Sequence, residues 1–247
     1  MERNVIFETA GLNDIAVHLA WGQLEIFADD VEKIQVMAAG DETSTNDLRI
    51  EVREGTLLVE QPQYGISFNI TESKWLQVCV RVPRSWRQGI RCTTISGMLS
   101  ARKLNGSVIS LETVTGDLRA LILTAEEITL KTISGDARGE VLSAEKIGVR
   151  SVSGDMALDM LSVKQLRCNS VSGEQTYNMT GFFERVDVAS VSGNVIITAP
   201  AEEMNASLRS ISGRVRTEGV SITESTEVPC VRVTGVSSDL KLISIKE

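Results

Sequence analysis

The sequence predicts an all-β fold, a right-handed parallel β-helix with coils of about 19–20 residues and an N-terminal β cap, on three observations. The first is a tetrapeptide that recurs through the chain: Thr94-Ile95-Ser96-Gly97, Thr113-Val114-Thr115-Gly116, Thr132-Ile133-Ser134-Gly135, Ser151-Val152-Ser153-Gly154, Ser170-Val171-Ser172-Gly173, Ser190-Val191-Ser192-Gly193 and Ser210-Ile211-Ser212-Gly213. Its glycines are 19 residues apart four times and then 20 apart twice. The second is period-2 alternation ahead of each glycine, the mark of a strand with one face inside. The third is an aromatic content of only 4%, as expected where aliphatic ladders supply the burial. Stacked parallel strands joined by crossovers favour the right-handed sense.

Each coil can be read from its glycine. Seven residues before it stand Ile90, Ile109, Ile128, Ile147, Leu166, Val186 and Ala206, and five before it stand Cys92, Leu111, Leu130, Val149, Cys168, Val188 and Leu208. These columns point inward, with polar residues such as Arg91, Lys131, Arg150 and Arg167 outside. A bend is expected between the Ser/Thr and the Val/Ile that follows it. That bend would turn Ile95, Val152 and their equivalents inward, together with the glycine and the residue two beyond it. This last column reads Leu99, Leu118, Ala137, Met156, Gln175, Val195 and Val215. An inward glycine lets backbone approach closely. A further column, Leu104, Leu123, Leu142 and Leu161, gives the coil a third face.

Residues 1–89 read as a β region capping the solenoid, and residues 90–247 as the repeats. One degenerate coil is visible around Gly22, with Ile15 and Val17 before it and Leu24 and Ile26 after it. Other strand candidates are Val5–Thr9, Glu32–Ala38, Ile66–Thr71 and Leu76–Val82, the last ending at Pro83. Gly40–Asp47 reads as a polar turn, and Leu48–Gln61 as a hairpin turning at Glu54-Gly55. Trp21, Trp75 and Trp86, with Phe7, Phe27 and Phe68, mass bulky residues at this end, which suits a cover over the first coil, the alternative being an exposed aromatic binding surface. His18, between Val17 and Leu19, has the parity of an exposed strand residue. Around Gly173 the repeat loosens, with Glu174-Gln175-Thr176-Tyr177 and then Gly181-Phe182-Phe183 suggesting a corner that packs two phenylalanines. After Gly213, Gly235 is the next candidate for the glycine column, and Leu240–Ile245 a last strand before the charged Lys246-Glu247.

A net charge of −8 argues against nucleic acid or an anionic membrane as the main partner. No apolar run reaches the roughly 18 residues of a transmembrane helix. The start, Met1-Glu2-Arg3-Asn4, lacks the pattern of a signal peptide, and on that ground a cytoplasmic location is expected. Cys79, Cys92, Cys168 and Cys230 lack metal-ligand spacing. Cys92 and Cys168 share an inward column four coils apart, about 19 Å, too far for a disulfide. No metal or cofactor is expected, and no catalytic residue is identified.

The Ser-Val-Ser-Gly-Asp type repeats, clearest at Thr132–Asp136 and Ser151–Asp155, resemble the bacterial putative-adhesin family of β-strand-repeat proteins, over roughly Ile15 to Val236. The resemblance implies a parallel β-helix, a bacterial origin, a cell-envelope or surface setting, and no attached catalytic residues. The expected function is a non-enzymatic structural or binding module, adhesin-like, presenting a repetitive Ser/Thr/Asp face to a protein or glycan partner. Its candidate partner- or cation-facing column is Asp117, Asp136, Asp155 and Glu174, which follow four successive glycines. The alternative is a carbohydrate-active β-helix enzyme using pairs of these carboxylates. Against it, acids repeated in every coil look like a consensus, and carboxylates in a straight column converge poorly on one cation.

Overall fold

The computed structural model describes residues 1–62 and 74–245. The repeats form a parallel β-solenoid in which each residue pairs with its equivalent one coil on. Ile90, Ile109, Ile128, Ile147, Leu166, Val186 and Val231 form one such line, and Leu104, Leu123, Leu142 and Leu161 another. Both lines are buried, as are Cys92, Leu111, Leu130, Val149, Cys168 and Val188. The residues two beyond the glycines are buried from Leu99 to Val195, and Leu240 continues that line. Because consecutive coils lie one strand spacing apart, like side chains stack on like, and one continuous aliphatic interior results.

The turn between the two strands of a coil falls at the glycine itself. Gly97, Gly116, Gly135, Gly154, Gly173 and Gly193 have φ between 120° and 131°. A Cβ on any of them would lie 1.9–2.4 Å from the carbonyl oxygen of the preceding glycine in the column, the first of these being Gly22. Only glycine fits such a position.

This geometry corrects the expected bend. Alternation runs on as far as the Val/Ile position, so Thr94, Thr113, Thr132, Ser151, Ser170 and Ser190 point inward and are buried. Ile95, Ile133, Val152, Val171, Val191 and Ile211 point outward and are exposed. The positive φ of the glycine makes the turn, and alternation gives way one residue later than expected, at the exposed Ser96, Ser134 and Ser153. Hydroxyls tolerate the interior because most find a partner: Thr94 Oγ1 donates to Thr113 Oγ1 at 3.2 Å, and Ser170 and Ser190 Oγ donate to the carbonyls of Ser172 and Ser192 at 3.3 and 3.2 Å.

At both ends, order in space departs from order in sequence. Strands Asp14–Trp21 and Gln23–Asp29 make the Gly22 coil, which pairs with the Gly97 coil (Ile15↔Ile90, Leu24↔Leu99). On its other side lie Thr56–Glu60 and Leu76–Pro83, later in the chain than the coil they cover (Ile15↔Leu57, Leu24↔Val78). Ile34–Gly40 runs antiparallel to Leu76–Pro83, and Glu2–Phe7 antiparallel to Ile34–Gly40. Arg49–Arg53 and Thr56–Glu60 form the expected hairpin, with positive φ at Glu54 and Gly55. Gly40–Asp47 is not merely a turn. Glu42–Asp47 is a short helix capped by Asp41, whose Oδ1 accepts the Ser44 N–H at 2.9 Å. The strand expected at Ile66–Thr71, with Phe68, and the charged pair Lys246-Glu247 lie outside the described residues.

At the other end, Cys230–Ser237 and Leu240–Ser244 slot between the Gly193 coil and the Gly213 coil (Val186↔Val231↔Ala206). Gly213 is therefore separated from Gly193 by Ser238, and Gly235 is not a column member, since it pairs with Ser190. Ser238 serves because it is small, is buried, and donates its hydroxyl to the Ser190 carbonyl at 3.1 Å. Beyond the Gly213 coil Ser221–Ile222 pairs with Glu203 and Met204 alone, and the coil leaves Ala206 and Leu208 only partly buried and Val215 exposed. Of the aromatics, Trp86 and Phe183 are buried, whereas Trp75 is 52% and Phe182 70% exposed, so one phenylalanine packs in that corner and not two.

Candidate functional site

The corner before the glycine column carries the most regular surface of the molecule. From each coil it projects one aliphatic side chain: Ile95, Val114, Ile133, Val152, Val171, Val191, Val236 and Ile211 in spatial order. Backbone bonds hold the row in register. Ser153 N donates to Ile133 O at 2.9 Å, Ser172 N to Val152 O at 3.0 Å, Ser192 N to Val171 O at 2.9 Å, and Ile211 N to Val236 O at 3.1 Å. Eight side chains at one strand spacing make a ridge about 34 Å long. Alongside it runs the serine and threonine row, Ser96, Thr115, Ser134, Ser153, Ser172 and Ser192.

Across the glycines lies the acidic column. The structure brings Asp117, Asp136, Asp155 and Glu174 into one line, and the three aspartate carboxylates have a structural task. Asp117 Oδ1 accepts the Asp136 N–H at 3.3 Å, Asp136 Oδ1 the Asp155 N–H at 3.0 Å, and Asp155 Oδ1 the Glu174 N–H at 2.8 Å. Asp239 repeats the arrangement at the far end, accepting the Arg214 N–H at 2.8 Å. Beyond the turn the main-chain ladder resumes, with Leu118 N on Asp136 O at 2.9 Å and Ala137 N on Asp155 O at 3.0 Å. An amide at a sharp turn that would otherwise lack a strand partner is thus satisfied by the acid of the preceding coil. Arg138 Nη2 lies 3.6 Å from Asp136 Oδ2, which offsets part of the like-charge repulsion along the line. Among the described residues, no three Asp, Glu, His or Cys side chains converge as metal ligands would.

The four cysteines are free thiols. Burial pushes the Cys92 and Cys168 thiols up to about 12, which keeps them protonated and unreactive. His18 is exposed on its strand, as its parity requires. Phe27 lies between two guanidinium groups, Arg102 at 4.7 Å and Arg81 at 5.9 Å from the ring centre.

Reading the sequence alone missed the ridge. The signal was present: the β-branched residue has the opposite parity to the columns seven and five before the glycine, so unbroken alternation places it outside.

Short coils stacked in register around a glycine column, with a ridged corner, define a β-solenoid repeat domain. Its family is equally definite. The chain belongs to the Toastrack DUF4097 family, whose sequence pattern matches residues 12–241. No curated protein matches it. Among solved structures it is similar to a putative adhesin from Bacteroides fragilis, at 13% identity and a TM-score of 0.59, covering 99% of this chain and 97% of that one. A putative adhesin from Parabacteroides distasonis matches at 13% identity and a TM-score of 0.52, covering 98% and 97%. A putative lipid binding protein from the same organism matches at 12% identity and a TM-score of 0.50, covering 99% and 97%. No helix among the described residues is long and apolar enough to cross a membrane.

Proposed function

We propose that this chain is a non-enzymatic binding module of the bacterial cell envelope whose contact surface is the aliphatic ridge, edged by hydroxyls on one side and by Asp117, Asp136, Asp155 and Glu174 on the other. The observation that carries the reading is the ridge itself. A Val or Ile stands outside in each coil from Ile95 to Ile211, where it adds nothing to the interior. A contiguous exposed apolar stripe is the usual mark of an interaction surface. A protein partner suits it better than a glycan, because no aromatic platform for a sugar ring stands on the ridge. The acidic column forms the rim and sets the charge of the partner, which should be basic where it meets the acids. The descriptions of the structural neighbours as adhesins and as a lipid binding protein agree with a binding role and an envelope setting. An enzymatic reading is disfavoured because Asp117, Asp136 and Asp155 are each spent on a backbone amide of the next coil. In the same reading the coils wind right-handed, the sense favoured by twisted parallel strands. Residues 1–89 act as the covering of the repeats, with their antiparallel strands shielding the first edge.

The test replaces Ile133, Val152 and Val171 together by serine. All three side chains are exposed, so the fold should survive with an unchanged circular dichroism spectrum. Retention of the triple variant on washed bacterial envelope fragments should fall at least tenfold relative to wild type. Equal retention of the two proteins would remove the ridge as the contact surface.

A further inference from the structure

Gly148 is a glycine that the fold does not require. It stands six residues before Gly154, at an outward strand position held by Thr129 and Arg167 in the flanking coils. Its φ is not in the left-handed region, unlike the column glycines. A Cβ placed there would meet a single neighbour, Thr129 Oγ1, at an ordinary contact distance of 3.8 Å. Glycine inside a strand is destabilising relative to alanine, so its presence where any side chain would fit calls for another reason. Close approach of a ligand to the backbone is one such reason.

The surroundings say what ligand. Gly148 is the floor of a depression walled by Lys146 and Arg150 on its own strand, Arg167 on the next, and Thr129 and Glu127 on the previous one. Register places Arg167 about 4.8 Å from Gly148 at the backbone, and Lys146 and Arg150 about 6.7 Å to either side along the strand. All three cations are exposed and none is held in an ion pair. Asp187, opposite Arg167 in register, also lines the depression together with Arg185. Its Oδ2 accepts from Arg185 Nε at 2.6 Å, so that pair is neutral, while Glu112 Oε2 accepts from Lys131 Nζ at 3.1 Å. Glu127, opposite Lys146, offsets one positive charge of the three. What remains is a positive concavity on a chain of net charge −8.

We propose that this depression is a binding site for a phosphate-type oxyanion, seated on Gly148 and held by Lys146, Arg150 and Arg167, with the Thr129 hydroxyl as a further donor. Two guanidinium forks and an ammonium around one seat match a group with several oxygens better than a single carboxylate, and the absent side chain lets the anion reach the strand. The site is separate from the ridge, four residues away along the same strands, and does not depend on it. The phosphate can be free or can be the headgroup of an anionic lipid, and the experiment separates the two sources.

Wild type, Gly148→Val and Arg150→Gln/Arg167→Gln are titrated with inorganic phosphate by calorimetry at low ionic strength. The same proteins are floated with vesicles of phosphatidylglycerol in phosphatidylcholine, and with phosphatidylcholine alone. Wild type should bind inorganic phosphate, identifying a small free phosphate, or float only with the anionic vesicles, identifying a headgroup. Each variant should bind the same probe at least tenfold more weakly, and Gly148→Val should unfold at the same temperature as wild type or higher. The double variant alters only exposed side chains and keeps the test open if the valine disturbs the strand. Wild type that binds neither probe, or variants that bind as well as wild type, would overturn the site.

Discussion

Replacing Gly135 by alanine tests the central feature of the fold, the column in which each glycine touches the carbonyl of the one before. The new Cβ would sit 2.4 Å from Gly116 O and 2.8 Å from Gly116 C. To reach an ordinary contact of 3.4 Å the carbonyl must retreat by 3.4 − 2.4, or 1.0 Å. Two bonds cross this corner, Gly116 N to Ser134 O at 3.0 Å and Asp136 N to Asp117 Oδ1 at 3.3 Å, and both stretch as the coils part. Each is worth about 1 kcal/mol net. Holding an alanine at a φ of 128° adds about 1–3 kcal/mol of backbone strain. The sum is a loss of about 3–5 kcal/mol, a large share of the stability of an ordinary domain. Equilibrium urea unfolding followed by far-ultraviolet circular dichroism measures it. Gly148→Ala is the internal control, since it should be neutral or gain up to about 1 kcal/mol. A Gly135→Ala protein within about 0.5 kcal/mol of wild type would refute the argument that the corner admits only glycine.

Three further outcomes are expected. Val152→Asp should change stability by less than about 1 kcal/mol because its side chain is 46% exposed, whereas Val149→Asp, at a fully buried position, should cost several; thermal melts of the pair would show the opposite order if the corner parity were wrong. Calcium should not raise the thermal midpoint of wild type, because Asp117, Asp136 and Asp155 each commit an oxygen to the next coil's amide; a rise abolished by Asp136→Asn would make the column a cation site. Burial raises the Cys92 and Cys168 thiols from 9.0 to about 12, so the folded protein keeps protons the unfolded chain gives up. Their contribution is complete below pH 9 and is lost as the pH rises toward 12; urea midpoints across that window should fall less steeply in Cys92→Ala/Cys168→Ala, and coincident slopes would contradict the assignment.

The sequence by itself determined everything that one strand spacing repeats. A stack of coils in register forces the same demand on every coil, so the glycine column, the Ile90 and Cys92 lines and the Leu104 line were legible from their 19-residue period. The acidic column was legible in the same way, though not its use, because a carboxylate accepting the amide of the next coil is a contact across coils. The parity of the corner was decided by the tertiary structure. A β-branched residue and a small hydroxyl residue both suit a strand, and only the turn at the glycine's positive φ shows that Thr132 goes in and Ile133 out. Coil order at the ends was also beyond the period. Gly213 follows Gly193 by 20 residues, yet Ser238 stands between them, since strand pairing is settled by which edge buries more and not by position in the chain. Gly148 lies between these cases. Its identity is written in the sequence, but that nothing in the backbone or the packing demands a glycine there is a fact about space above a strand, which only the assembled coils define.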